Sequence, residues 1–338
     1  MFRDHWYAVL DSRELKRGRP VGVRRLGEQL VVWRSPDGGV RCVADKCAHR
    51  GASLAAGCVA GDRVRCPFHG LEFDGDGRCT TIPANGRAAA VPENFRVASY
   101  PAREAHGFVW IWWGEARESL PELPFFADLV DGFSYSGCAE PWAVHFTRAV
   151  ENQLDIAHLP FVHHNTIGRG GRTLMHGPLV RVEGGDIKFW VMPEVDRGQP
   201  VLKPAEFPEP KEGQFHVHFR FPNLWQNWIA PKLRIFLSFT PVDDENTVLY
   251  MRYYQAFARA PLLRNLVNRV GLFYSKVILH QDRRVVLTQQ PRRTWLKMGE
   301  NLLQADLPIV EFRRMCEGRI QAAGGTARHN GSAPPPSA

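Results

Sequence analysis

Two short segments of the chain each combine one cysteine with one histidine. They are residues 47–49 (CAH) and 66–69 (CPFH), and sixteen residues separate His49 from Cys66. Zinc fingers usually place both cysteines in one loop and both histidines in another. The order here lets two cysteines bind one iron and two histidines bind the other iron of a Rieske [2Fe–2S] cluster. The predicted cluster ligands are Cys47, His49, Cys66 and His69, and a structural zinc site is the alternative.

The chain around these two segments has the pattern of short strands and turns. Runs at 21–25, 29–33 and 40–44 are rich in β-forming residues, and the turn sequence SPDGG occupies 35–39. The apolar run FVWIWW at 108–113 is typical of a buried strand. These features predict a small all-β domain over residues 1–116, with the cluster inside it.

Composition limits the remaining possibilities. Seven cysteines, an odd number in a chain of 338 residues, argue against a disulfide framework and fit the reducing cytoplasm. The N-terminus lacks the pattern of a secretory signal, and no apolar run approaches the roughly 20 residues of a membrane helix. The net charge is +8, but lysine and arginine are scattered, so we expect neither a nucleic-acid nor a membrane partner.

The rest of the chain mixes helix and strand patterns. Residues 142–157 have helical character that stops near Pro160, residues 214–221 alternate as in a half-buried strand, and 261–290 is the longest helical stretch. Strands followed by helices indicate an α+β domain with an antiparallel sheet flanked by helices, predicted over 117–321. The tail at 322–338, rich in Gly, Ser and Pro, is predicted to be disordered.

A second group of possible metal ligands lies in residues 151–164 (ENQLDIAHLPFVHH). Asp155 and His158 are three residues apart and would share a helix face, and a turn after Pro160 could bring His163 back to it. Two histidines and one carboxylate form the facial triad of non-haem iron oxygenases. The predicted carboxylate is Asp282, late in the long helix. Spacing alone leaves His164 open in place of His163, and His280 or Asp155 in place of Asp282.

With both motifs together, the chain resembles the Rieske non-haem iron oxygenases. The resemblance runs from about residue 5 to residue 320 and is greatest to single-subunit-type oxygenase components, such as vanillate and dicamba O-demethylases and saxitoxin-pathway hydroxylases. It implies that the four residues named above bind the [2Fe–2S] cluster. It further implies that the ligands of a mononuclear Fe(II) are His158, His163 and Asp282.

The resemblance also implies a role for the residues before the first iron histidine. Asn152 and Asp155 match an Asn-x-x-Asp pattern of the family. In the family this aspartate links a cluster histidine of one subunit to an iron histidine of the next, which implies a homotrimer with Asp155 facing His69 across the interface. The pair Gln281–Asp282 stands where many relatives have Glu-Asp.

The implied function is that of the oxygenase component of a multicomponent oxidoreductase. Such a component uses O₂ and electrons from a separate ferredoxin or flavin reductase to hydroxylate or O-demethylate a small, largely apolar aromatic or alicyclic substrate. The chain itself has no nicotinamide or flavin fingerprint. A Rieske electron-transfer protein without oxygenase chemistry is the alternative.

Overall fold

A computed structural model describes residues 1–322. The N-terminal part is all-β and contains three antiparallel sheets, ordered β1-β11-β10, β2-β3-β4-β9 and β5-β6-β7-β8. Three short 3₁₀ turns complete the segment up to residue 133, at Ser12–Glu14, Pro83–Asn85 and Ala127–Leu129. The strands are β1 His5–Asp11, β2 Val21–Arg25, β3 Glu28–Arg34, β4 Val40–Ala44, β5 Cys58–Ala60, β6 Arg63–Arg65, β7 Glu72–Phe73, β8 Cys79–Thr81, β9 Ser99–Tyr100, β10 Ala102–Ala105 and β11 Phe108–Trp113.

The C-terminal part is built on one seven-stranded antiparallel sheet with helices on one face. The strand order is β12-β18-β17-β16-β15-β14-β13. The elements are β12 Ser134–Trp142, α1 Phe146–Leu154, α2 Leu159–Val162, β13 Leu174–Glu183, β14 Asp186–Glu194, β15 His216–Arg220, β16 Leu224–Ala230, β17 Leu233–Pro241, β18 Thr247–Gln255, α3 Pro261–Val286 and α4 Leu307–Ala322. The predicted α+β fold class is confirmed.

Both faces of the large sheet are buried. One face packs against α1, α3 and α4 around Phe219, Trp225 and Phe312. The opposite face packs on the N-terminal sheet of β1 and β11, where the ring centroids of Phe108 of β11 and Phe236 of β17 lie 5.8 Å apart. This second interface excludes water and joins the two parts through a shared core. The predicted division at residue 116 itself stays a prediction.

The predicted helix at 142–157 is shorter than its sequence pattern suggested. Trp142 is the last residue of β12, and the helix begins only after His145, whose side chain accepts a hydrogen bond from the Thr147 N–H. Pro160 was expected to end this helix, but α1 has already ended at Leu154. Pro160 instead lies in the first turn of α2, where a missing backbone N–H costs nothing.

The long helix and the tail also differ from prediction at their ends. Helix α3 ends at Val286 rather than at 290, because the next N–H groups, of Thr288 and Gln289, bond to carbonyls three residues back instead of four. Ala322, expected to start a disordered tail, is the last residue of α4, and residues 323–338 lie outside the described part of the chain. Among residues 1–322, no helix combines the length and apolar content needed to cross a bilayer.

Candidate functional site

The two cysteine-histidine loops have the same backbone arrangement. In the first, the Cys47 N–H donates to the Ala52 carbonyl and the Gly51 N–H donates to the Cys47 carbonyl, both at 2.8 Å. In the second, the Cys66 N–H donates to Leu71 at 2.8 Å and the Gly70 N–H donates to Cys66 at 3.1 Å. Gly51 and Gly70 both have φ of 73°, a conformation that side chains disfavour. The equivalent turns place the two Cys-His pairs as matching halves of one site.

A glycine between the loops allows them to lie against each other. A Cβ atom built on Gly57 would lie 1.9 Å from the carbonyl oxygen of Arg65, the residue before Cys66. No residue with a side chain fits at this position without moving the backbone of the second loop.

The four predicted ligands differ in exposure in the way a cluster at the protein surface requires. The thiols of Cys47 and Cys66 are buried, and burial together with the nearby Cys66 thiol raises the pKa of Cys47. The imidazoles of His49 and His69 are exposed, with ring centroids 4.6 Å apart. All seven cysteines are free thiols. Two buried thiols, one on each loop, and two adjacent imidazoles fit the donor set of a Rieske cluster.

The second candidate site begins where α1 ends. Asp155 has extended backbone, and its Oδ1 accepts a hydrogen bond of 2.7 Å from the Ala157 N–H, which turns the chain. His158 directly precedes α2 and His163 directly follows it. The short helix α2 therefore explains how two histidines five residues apart reach one site.

Asp282 of α3 completes this group. Its Oδ1 lies 3.2 Å from Nε2 of His158 and 3.0 Å from Nε2 of His163, and the three ligand atoms lie within 4.8 Å of one another. Oδ1 is buried, and although both imidazole nitrogens lie near it, neither makes a hydrogen bond of good geometry to it. A buried carboxylate oxygen without a partner costs free energy unless a cation binds it. The donor set and this oxygen fit a divalent metal with open positions.

Other polar side chains orient these three. Oε1 of Gln281 lies 2.8 Å from Nδ1 of His163 and accepts a second hydrogen bond of 3.0 Å from the Thr166 hydroxyl. The Gln281 amide also donates to Asn165 Oδ1 at 3.1 Å. With Nδ1 engaged in this way, Nε2 of His163 is directed at Asp282.

Asn152 is connected to Asp282 through the side chain of Gln153. Oδ1 of Asn152 accepts from the Gln153 amide at 2.7 Å, and the same amide donates to Oδ2 of Asp282 at 3.3 Å. The Gln153 carbonyl in turn accepts from the indole of Trp225 at 2.9 Å. Sequence reasoning missed Gln153, Trp225 and Thr166, and the only available signal was the position of Gln153 inside the Asn-x-x-Asp pattern.

The alternative ligands point elsewhere. His164 is exposed, and its Nδ1 lies 3.0 Å from the Phe161 carbonyl oxygen. His280 lies one residue before Gln281 but contacts Glu140 of β12, with 2.9 Å between its Nε2 and the carboxylate. Asp155 lies beside His158 rather than at Asp282, with its Oδ2 3.4 Å from Nδ1 of His158.

The electrostatics around Asp282 favour an ionised carboxylate, with a proton or a metal ion between it and the imidazoles of His158 and His163. Burial opposes the charge on His158, but Asp155 and Asp282 outweigh it and raise the pKa of His158 to about 9. Burial likewise opposes ionisation of Asp282, yet the two imidazoles hold the pKa of this carboxyl below its usual range.

A cavity of about 460 Å³ opens beside Asp155 and His158. Its far wall carries a buried ion network in which Arg313 binds both oxygens of Glu151, at 2.8 and 2.9 Å, and Glu300 at 2.6 Å. The carboxylate of Asp155, which is 28% exposed, is therefore reachable from outside the chain, while Asp282 behind it is not.

Family models match both parts of the chain. A model described as a Rieske [2Fe-2S] domain matches residues 5–101, and one described as the vanillate O-demethylase oxygenase C-terminal domain matches residues 142–322. The four predicted cysteine and histidine ligands fall in the first match, and the Asp155 to Asp282 group falls in the second.

Individual relatives agree with these models. The chain is 34% identical to the 3-chlorobenzoate-3,4-dioxygenase oxygenase subunit of Comamonas testosteroni, over 74% of this chain and 58% of that protein. It is 30% identical to the vanillate O-demethylase oxygenase subunit of Pseudomonas sp. strain HR199, over 55% and 51%. A solved structure of dicamba monooxygenase has the same fold, with a TM-score of 0.76 and 23% identity over 96% of this chain and 99% of that one. The chain matches between 25% and 58% of the length of eight curated relatives.

Proposed function

Because the chain belongs to the Rieske non-haem iron oxygenases, with a C-terminal domain of the vanillate O-demethylase type, we propose that it is the oxygenase component of a multicomponent oxygenase. The cofactors of this family are a Rieske [2Fe–2S] cluster and a mononuclear iron. When bound, the cluster supplies single electrons and the mononuclear iron supplies the activation of O₂.

The proposed ligands follow from the two sites. Cys47 and Cys66 would hold one iron of the cluster, and His49 and His69 the other. The mononuclear iron would be held by His158, His163 and Asp282, and the observation that carries the proposal is the convergence of their three donor atoms on Oδ1, which makes no hydrogen bond of good geometry. Gln281 keeps His163 oriented, and Gln153 keeps Asp282 oriented, so neither ligand has to reorganise when the metal enters.

We propose that electrons reach the mononuclear site from the cluster of a second copy of the chain. The imidazole nitrogens of His49 and His69 have no carboxylate oxygen within 4.0 Å among residues 1–322, so their outer nitrogens are free to contact another subunit. Asp155 lies at the mouth of the cavity with Oδ2 beside His158. A homotrimeric ring in which Asp155 hydrogen-bonds His69 of the next copy would connect the two.

A substrate and an electron donor complete the proposed function. The substrate would be a small, largely apolar aromatic or alicyclic molecule that is hydroxylated or O-demethylated. A ferredoxin or flavin reductase would deliver the electrons, and the net charge of +8 suits an acidic donor. Seven free thiols are compatible with the reducing cytoplasm, where we place the reaction.

A substrate screen with product mass analysis tests this function. The purified chain, a generic ferredoxin and reductase, and NADH are incubated with a panel of methoxylated and unsubstituted aromatic and alicyclic compounds. We expect at least one compound to stimulate consumption of NADH and O₂ together, with a product that has gained oxygen or lost CH₂.

Two outcomes would overturn the proposal. One is a Rieske electron paramagnetic resonance signal without substrate-dependent O₂ consumption across the panel, which would leave an electron-transfer protein. The other is a protein that contains zinc and no Rieske signal. Sedimentation analysis of the holoprotein tests the ring separately, because a monomer at catalytic concentrations would contradict it.

A further inference from the structure

Over its first four turns, helix α3 carries its polar and apolar faces in the reverse of the usual arrangement. In a helix at the surface of a globular protein, the apolar stripe normally faces the core. In these turns the buried residues are the polar Asn268 and Ser275, whereas the last part of the helix buries Leu279 and Val286 together with Asp282. The outward face of the first four turns is apolar. We call this face the exposed stripe, and it consists of Leu262, Leu266, Val270, Phe273 and Val277.

The exposed stripe is continuous. Its members follow one another at intervals of four, four, three and four residues, the spacing that places side chains on one helix face. Their exposed fractions run from 37% for Val277 to 87% for Leu262. At 1.5 Å per residue the stripe is about 24 Å long. Single exposed apolar residues need no explanation, but a contiguous row of five does.

The helix cannot roll to bury this stripe within its own chain. Asn268 Oδ1 accepts a hydrogen bond of 3.0 Å from the Gln255 amide, and its amide donates to Ser134 Oγ at 3.2 Å. A Cβ atom on Gly271 would lie 2.3 Å from the ring of Tyr253, so the helix approaches the sheet there as closely as only glycine allows. Asp282 holds the other end at the two histidines. The outward direction of the stripe is therefore set by three separate contacts.

The stretch of chain that carries the stripe has only positively charged side chains, and Lys276 at its end is paired with Glu140 of β12 at 2.8 Å. No Asp or Glu occurs between Glu245 and Asp282. Arg259, Arg264 and Arg269 are exposed in this segment, and none has a carboxylate partner among residues 1–322. An apolar helix face bordered by unpaired cations is the pattern of helices that lie in the interface of an anionic bilayer.

The sequence predicts no membrane partner, but the exposure of this helix face leads us to the opposite inference: we propose that the exposed stripe is a docking surface for an anionic lipid bilayer, on which the chain lies without spanning it. The apolar side chains would enter the headgroup–acyl boundary while the neighbouring arginines bind lipid phosphates. A second copy docked through the same stripe would bring the unpaired arginines of both chains together, which like-charge repulsion disfavours. The inference does not rest on the proposed oxygenase function.

Vesicle binding of the holoprotein tests the proposal. Vesicles of equal parts phosphatidylglycerol and phosphatidylcholine, or of phosphatidylcholine alone, are sedimented with the protein at about 0.1 M and about 1 M NaCl. We expect binding to the anionic vesicles that weakens with salt. The variant Leu266→Ser/Phe273→Ser should lower the partition coefficient at least about tenfold, because it removes apolar area that the bilayer would otherwise bury. Val182→Ser/Val201→Ser, which changes two exposed valines outside α3, is the matched control and should bind as wild type.

Each other result overturns the proposal. Absence of wild-type binding, equal binding to both vesicle types, or equal loss in the stripe variant and the valine control would each do so. Sedimentation velocity without vesicles is run on the same variants. A stripe variant that dissociates an oligomer of the wild type would show that a second copy covers the stripe. The cluster absorbance and circular dichroism of each variant establish that it is folded, and no turnover is needed.

Discussion

Nδ1 of His163 lies 2.8 Å from Oε1 of Gln281, the residue that immediately precedes Asp282. One turn of α3 thus provides both a predicted ligand and the group that orients a second predicted ligand. An amide oxygen accepts from Nδ1–H as a carboxylate would, but it adds no negative charge behind the imidazole. Gln281, which stands where many relatives have Glu, therefore preserves the hydrogen bond to His163.

Replacing Gln281 by leucine should weaken metal binding at the mononuclear site. Without an acceptor at Nδ1, the tautomer and ring orientation of His163 are no longer set, and we expect a loss of about 10- to 100-fold in Fe(II) affinity. Gln281→Glu should retain most of the affinity. Competition with a chromophoric chelator measures the effect, with Gln321→Leu on α4 as control. Wild-type affinity in Gln281→Leu would show that the contact has no orienting role.

Replacing Asp282 by alanine should remove the mononuclear iron and leave the cluster. The substitution deletes the oxygen that faces both histidines, and we expect occupancy of this site to fall at least about tenfold. Metal analysis and the Rieske signal are measured on the same sample. Asp186→Ala is a matched control, because Asp186 also contacts a histidine, His218, at 2.8 Å. Iron retained in Asp282→Ala would return His280 or Asp155 to consideration as ligand.

Asp155→Asn should leave both metals bound and slow electron transfer between them. The amide keeps an acceptor for the Ala157 N–H but loses the carboxylate charge beside His158. We expect reoxidation of the reduced cluster in a single turnover to slow at least about tenfold. Asp306→Asn, which changes another carboxylate lining the same cavity, is the control. Turnover near that of the wild type would end the bridging role proposed for Asp155.

Gly57→Ala should impair assembly of the cluster. The added Cβ would meet the Arg65 carbonyl oxygen at 1.9 Å, so the second loop has to move. Overpacking of this kind costs about 1–3 kcal/mol or more. Cluster absorbance per chain and the melting temperature should both fall. Gly318→Ala on α4, where nothing lies within 4 Å of the new atom, should lower neither.

Metal uptake at the mononuclear site should release protons. In the metal-free site the carboxylates of Asp155 and Asp282 outweigh burial and raise the pKa of His158 to about 9, whereas the imidazole that binds a metal is neutral. Below pH 9 an entering ion therefore displaces a proton, and its apparent affinity rises with pH up to about 9. Protonation of His158 stabilises the metal-free fold fully below about pH 6.5, and this contribution is lost as pH rises through 9.

Calorimetric titration of Zn²⁺ in buffers of different ionisation enthalpy measures this release. We expect close to one proton per ion at pH 7 from His158, and less in Asp155→Asn, which removes one of the two carboxylates. A heat that is independent of the buffer would contradict the assignment.

The parts of the molecule that depend on local pattern were predictable from the sequence. The Cys-x-His and Cys-x-x-His spacings, the apolar run of β11 and the alternation around β15 each reflect contacts within a few residues. The order of strand and helix patterns indicated the α+β fold class, the two motifs indicated the cluster and the non-haem iron, and the resemblance to a family then agreed with both. Errors fell at helix ends, where the His145 cap and the turn at Asp155 decided the boundaries of α1.

Contacts between distant residues were decided only by the tertiary structure. Sequence spacing left His164, His280 and Asp155 open as ligands, and the choice depends on where α2 and α3 place each side chain. Gln153 contacts Asp282 from 129 residues away in the chain, and Trp225 contacts Gln153 from 72 residues away. No local pattern reveals such contacts. Which face of α3 is outward likewise depends on Asn268, Gly271 and Asp282 meeting partners on other elements. Hydrophobic periodicity alone predicts the opposite orientation, because it contains no information about the groups that the inner face has to bind.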